Sequence, residues 1–313
     1  MKKCQDTIRL ADAGTRLSQC NWGIMYSQGD SFSTDTLGSL NQLAFLLEVD
    51  AHILAADGDC RGAFDRILSI RRLAAQIADE TIIAYGMSSQ LQYCLHSIEH
   101  ILGRMPADVD TLTWLQAQLS TVQGPPTTPG RALEAALEQT LHPAFIARWR
   151  EQLTNSISRD RDWLLAHTQE EVVDDARELG SEFVTAAQRV IGSDKPYAKK
   201  HAELQELAEN LNSDDNPATF LLGLCYFGRV HVFYDVYVRH VAHFNAVRAA
   251  IEVYIEIAKS GQVPQTLPAH LPRDPFSDEE FEYQVTERGF MLRCRAKEIG
   301  EDRIWEYEFA VPK

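Results

Sequence analysis

Five consecutive residues, His96-Ser97-Ile98-Glu99-His100, carry the most specific chemistry in the chain. On a helix, His96 and His100 stand four positions apart and share a face. Two imidazoles so placed fill two positions around a zinc ion, and Glu99 is suited to act as base on a metal-bound water. The H-x-x-E-H order is that of the inverted zinc peptidases. A third ligand must come from elsewhere, and Glu170, Glu171 and Glu178 are candidates by position along the chain. The competing reading is a set of ordinary helix-packing histidines. Inverted zincins hold this motif in an α/β domain, and no strand is expected near His96.

A second group is His231, Asp235, Arg239, His240 and His243. His231 and Asp235 are four apart, as are Asp235 and Arg239, so the set forms a polar stripe that would line a cleft or hold a metal. The alternative is an ion-pair network by which a buried helix faces a neighbour. No other catalytic pattern is present: there is no glycine-rich dinucleotide loop, no P-loop, no G-x-S-x-G elbow and no kinase set. Glu170-Glu171 and Asp174-Asp175 follow Thr168 and read as the solvated start of a helix, where the dipole favours negative charge.

The elements that must position these groups are mostly helices. Apolar residues recur at helical spacing over Cys4–Leu17, Leu37–Ala56, Arg61–Ala78, Thr81–Leu102 and Asp110–Val122. Cys20–Gly38 is rich in Gly, Ser, Asp and Thr and reads as a loop, and Asp57-Gly58-Asp59 reads as a turn. Leu37–Ala56 with Arg61–Ala78 resembles one tetratricopeptide-type hairpin, without further copies at the ~34-residue period of a repeat array. Gly124–Gly130 is the clearest internal linker. Helices follow over Arg131–Thr140, Ala144–Leu153, Asp162–Thr168, Glu170–Ile191 and Tyr197–Asn212. Asn216 and Pro217 are suited to cap and open the next.

Pro217–Ser260 is the most apolar and aromatic stretch, and its composition fits a helix surrounded by others. It is long for one helix. A kink at Gly223 and Gly228, or two helices meeting near His240–Asn245, is expected. After Gly261 come Pro264, Pro268, Pro272 and Pro275, an arm that cannot be helical. Phe281–Thr286, Phe290–Ala296 and Ile304–Val311 read as strands, with Glu287-Arg288-Gly289 as a hairpin turn. So small a sheet has to pack on the helices.

Composition bounds the function. The chain has 313 residues, 45% of them apolar, and a formal net charge of -15. A surface that binds nucleic acid needs clustered Lys and Arg, so the charge speaks against it and against an anionic membrane surface. The six cysteines are scattered and none forms a C-x-x-C pair, as expected of small apolar residues or free thiols. MKKCQDTIRLADAG has no apolar core of a signal peptide, which points to the cytoplasm. The best membrane candidate, Pro217–Val238, carries Arg229, His231 and Asp235, so no transmembrane span is expected.

Arg248–Cys294 resembles the soluble end of type II secretion pseudopilins, on Tyr254, Gly261, Pro264, Leu267, Leu271, Asp274, Pro275, Phe276, Tyr283 and Gly289–Leu292. With CNWGIMYSQGD (Cys20–Asp30) and ADGDCRGAFDRILSIRRLA (Ala56–Ala74), the whole is similar to planctomycete-type bacterial proteins that join helical hairpins to a tail of this kind. The resemblance implies an association with the cell envelope or secretion and names no activity. Two departures matter. The turn glycine of the family's DPFSG is Asp278 here, and Glu298, Glu301 and Asp302 do not form the oxygen-ligand pattern of a calcium loop.

The expectation is therefore a mostly α protein of stacked helical hairpins around a central apolar helix, ending in a small antiparallel β appendage. Residues 1–123 would form the N-terminal hairpins, 131–260 a subdomain with the central helix, and 261–313 the arm and sheet. The function expected first is a non-enzymatic scaffold that holds a protein partner on a helical face or sheet edge, with no catalytic residue and no cofactor. The alternative is a zinc-dependent hydrolase using His96, Glu99 and His100. A small-ligand sensor with a pocket beside Tyr234 or His231 is a third reading.

Overall fold

The computed structural model describes residues 4–17, 30–78, 85, 91, 94–121, 129–154, 166–213, 218–224, 227–268 and 270–312. Among them are eleven α-helices and three strands: α1 (Gln5–Thr15), α2 (Asp30–Ala56), α3 (Cys60–Ala78), α4 (Leu95–Leu102), α5 (Val109–Thr121), α6 (Pro129–Thr140), α7 (Pro143–Thr154), α8 (Gln169–Ile191), α9 (Tyr197–Ser213), α10 (Ala218–Leu224), α11 (Val230–Ser260), β1 (Glu282–Thr286), β2 (Gly289–Arg293) and β3 (Glu306–Ala310). The protein is mostly α with a small β appendage. Five expected features lie wholly or partly outside the described residues: the loop over 20–29, the start of the helix from Thr81, the linker over 124–128, the helix over 162–165, and the Asn216–Pro217 cap.

The α2–α3 hairpin follows from its turn. Gly58 has φ of 89°, a left-handed conformation that suits glycine and ends a helix. Asp59 then opens α3, its Oδ1 accepting from the Gly62 amide at 2.8 Å. α2 begins at Asp30, seven residues before the expected start at Leu37. Apart from Phe32, its first two turns are built of Ser, Thr and Asp, each a loop signal, and the lone Gly38 is tolerated within the helix. α1 docks on α3 through Asp12, whose carboxylate accepts from the Ser69 hydroxyl at 2.5 Å and lies 3.6 Å from Arg66.

α8 opens with a reciprocal cap. The Thr168 hydroxyl accepts from the Glu171 amide at 3.2 Å, and the Thr168 amide donates to Glu171 Oε2 at 2.7 Å. Immediately before α11 the chain makes a 3₁₀ turn at Phe227–Arg229. The break in the long apolar stretch is therefore beside Gly228, and α11 runs unbroken through His240–Asn245 to Gly261, whose φ is 75°. Apolar residues are buried along all of α11, from Val230 through Val238, Ala246 and Val253 to Ile255. It touches α4, α5, α6, α9 and β3, as the central helix of the stack.

The tail closes on α11. β1, β2 and β3 form an antiparallel sheet in that order, with Val285 opposite Phe290 and Phe290 opposite Phe309. Gly289 pairs with Thr286, so the turn proper is Glu287-Arg288. A Cβ at Gly289 would lie 2.0 Å from the Phe309 carbonyl oxygen, so only glycine fits there. Phe290, Leu292, Tyr307 and Phe309 are buried, and the Tyr254 hydroxyl of α11 donates to the Ala310 carbonyl at 2.5 Å. One cluster of buried apolar side chains runs from Ile8 to Phe309.

The arm is fastened by Asp274, whose side chain is fully buried. Its carboxylate accepts from the Phe276 amide at 2.9 Å, the Ser277 hydroxyl at 2.7 Å and the Arg295 amide at 2.8 Å. Asp278 has φ of 60°, the left-handed region in which aspartate is among the few tolerated side chains. Among the described residues no helix is long and apolar enough to cross a membrane.

Candidate functional site

α4 is amphipathic. Leu95, Ile98, Ile101 and Leu102 face the core. Three positions on its other side carry His96, Glu99 and His100, whose fates differ. The His96 Nδ1 lies 2.8 Å from Glu99 Oε2. The other carboxylate oxygen, Oε1, lies 2.7 Å from Nε2 of His243 on α11. Glu99 thus accepts from two imidazoles at once. The three donor atoms of His96, Glu99 and His243 lie within 4.8 Å of one another, the one such group of histidine, cysteine and carboxylate side chains among the described residues.

Electrostatics follows from burial. The His243 side chain is 8% exposed, Glu99 14% and His96 59%, so the cluster grades from core to solvent. Burial pushes the Glu99 carboxyl up, but the hydrogen bonds and charges of His243 and His96 outweigh it and hold it below its ordinary value. The bond to Glu99 raises the His96 imidazole, against a smaller effect of burial. Burial lowers His243, with Glu99 opposing. The Tyr307 ring of β3 stacks under the His243 ring at 5.0 Å, which fixes its plane. The His96 ring lies 4.5 Å from the His243 ring, tilted by 45°.

His100 has a different partner. Its ring meets His52 of α2 edge-on at 5.3 Å. Both line an open cavity of about 720 Å³ between α2, α4 and the turn that follows α4. His96, Ser97, Cys60 and Arg104 also reach this cavity. The Ser97 hydroxyl donates to Glu48 Oε1 at 2.5 Å and lies 3.2 Å from His52 Nε2. Burial lowers the His100 imidazole, with Arg104 and His52 acting in the same sense.

The sequence-expected groupings are redistributed. His96 and His100 do share the cavity face, but the group completing the cluster is His243, not Glu170, Glu171 or Glu178. Glu171 is engaged in its own helix cap, and Glu170 and Glu178 are exposed on α8. The polar stripe of α11 does not form one cleft. Each four-residue step advances about 6 Å along the axis, so successive members meet different elements. Asp235 Oδ1 accepts from the Tyr197 hydroxyl at 2.7 Å and lies 2.8 Å from His201 Nδ1, both on α9. Arg239 donates from Nε to Glu298 Oε2 at 3.0 Å, and its Nη2 pairs with Glu298 Oε1 and with Glu301 at 2.7 Å. His231 stands edge-on to His201 at 5.7 Å, and His240 is buried.

His52, Arg104, Tyr197 and His201 escape a reading by motif. Each sits alone in an unremarkable helical or turn segment, and only tertiary packing brings it to its partner. No protein-family model matches the chain, and no curated protein or solved structure matches it either, so the site has to be read from its own atoms.

Proposed function

We propose that the protein binds a divalent transition metal through His96 Nδ1, His243 Nε2 and the Glu99 carboxylate, at the edge of a cavity that admits a small molecule. The observation that carries this reading is the convergence of two imidazole nitrogens and a carboxylate within 4.8 Å, with His96 also on the wall of the 720 Å³ cavity. Two histidines and one carboxylate are a recurrent set for zinc and for non-haem iron, and leave positions for water and substrate. Bond lengths near 2.0–2.2 Å put neighbouring donors of a tetrahedral site a little over 3 Å apart, so the present 2.7 and 2.8 Å contacts open only slightly to admit an ion. Glu99 is then a ligand and not the base that the H-x-x-E-H pattern assigns it. Hydrolysis is the reaction class such a centre supports, since a bound zinc-type ion brings the pKa of its water near 7.

A protein-holding scaffold is the other reading. It draws on exposed apolar side chains such as Leu10, Leu17 and Phe45, but singly exposed apolar residues are ordinary in any soluble surface.

The test is metal content after purification without chelator, followed by titration of zinc and ferrous iron into stripped protein. One equivalent per chain is expected, lost in His243→Ala and His96→Ala and retained in His100→Ala. Absence of binding, or equal loss in His100→Ala, sinks the assignment.

A further inference from the structure

The cavity has a polarity opposite to that of the chain. The whole molecule carries a formal charge of -15. Yet among the described residues that line this cavity there is no aspartate or glutamate, while His52, His100 and Arg104 all reach it. The two imidazoles meet edge-on at 5.3 Å, and Arg104, four positions after His100, lines the same cavity. Arg104 and His100 are exposed on this lining, and a guanidinium keeps its charge at any working pH, so an anion entering the cavity meets donors and a positive charge. The lining also has apolar members, among them Ala55, Ile101 and Met105. About 720 Å³ lies within the range of small-molecule sites.

We infer that this cavity binds a small organic carboxylate with an apolar body, its carboxylate held by Arg104, His52 and His100 and its body against Ala55, Ile101 and Met105. Arg104 offers the planar fork that matches a carboxylate in two parallel hydrogen bonds. The apolar lining rewards a hydrocarbon body and rejects a simple inorganic anion. The inference does not depend on the metal reading, because none of these six residues is a proposed metal ligand.

The experiment is calorimetric titration of octanoate, and in parallel 1-octanol and inorganic phosphate, into the full chain stripped of metal and dialysed free of chelator. Octanoate is expected to bind at least tenfold more tightly than octanol, and phosphate not at all. Arg104→Gln, at a turn outside the core, is expected to reduce octanoate affinity tenfold or more while leaving octanol unchanged. Ala55→Phe, which fills the apolar side, is expected to weaken both. Equal binding of octanoate and octanol, binding of neither, or an Arg104→Gln variant that binds octanoate as the parent does would overturn the assignment. Failure to load metal leaves all these outcomes readable.

Discussion

Glu99 on α4 and His243 on α11 are 144 positions apart in the chain and 2.7 Å apart in space. This contact is one of several that join the N-terminal helices to the central helix, and its partners are mostly withdrawn from water. A buried imidazole N–H without an acceptor costs about 1–3 kcal/mol. Glu99→Ala is therefore expected to lower the stability of the metal-free protein by that amount. Glu99→Gln, which retains an acceptor oxygen for one histidine, loses less. Urea unfolding at constant slope measures both, and equal midpoints for parent and Glu99→Ala would refute the contact.

The tail depends on a buried carboxylate. Glu298 is fully buried and is held by Arg239 and by the Trp305 indole N–H, at 2.5 Å from Nε1. Removing one partner of a buried pair leaves an unmatched charge and costs about 3–5 kcal/mol, whereas replacing both with apolar groups is far milder. Arg239→Met should destabilise strongly, and Arg239→Met combined with Glu298→Leu should recover much of the loss. A double variant no more stable than Arg239→Met would show that the pair is not what fastens the tail.

Asp278 occupies a left-handed position that favours glycine. A β-branched side chain there is strained by roughly 1–2 kcal/mol. Asp278→Val is expected to lower the unfolding midpoint accordingly, and Asp278→Gly to leave it close to the parent. Thermal unfolding of the two variants side by side decides this, since a general loss of the aspartate side chain would lower both alike.

Acid should loosen α1 first. Burial raises the Asp12 carboxyl, but the Ser69 hydroxyl, Arg16 and Arg66 outweigh it and hold the group below its ordinary value of 3.8. A carboxyl with a depressed folded pKa contributes stability above the unfolded pKa and loses it as pH falls through the folded one. Amide exchange in α1 is thus expected to accelerate relative to α3 as pH drops below about 4, after correction for intrinsic rates. Asp12→Asn should abolish that pH dependence while leaving α1 less protected throughout.

Much of the architecture was legible in the sequence because it is written in local signals. The Asp57-Gly58-Asp59 turn, the Thr168 start of α8, the stop at Gly261 and the alternation in the three strands each act within a few residues. The start of α2 escapes a local reading because Ser, Thr and Asp are loop formers individually, although they are also compatible with a helix's first turns. The site was half legible. His96, Glu99 and His243 were each singled out, but in separate groups, since neither motif nor period tells which face of α4 meets which turn of α11. His52 and Arg104 carried no local signal, and their role exists only once α2 and α4 are packed together.

The stripe on α11 also bears on what changes the chain can accept. Asp235, Arg239 and His243 each answer a different element: α9, the tail and α4. Adding one residue within α11 before Asp235 would rotate everything after it by about 100°. All three partnerships would miss together, and no single compensating substitution could restore them. Length variation should therefore be excluded from this helix by its three simultaneous appointments, while each partner side chain can still be exchanged on its own.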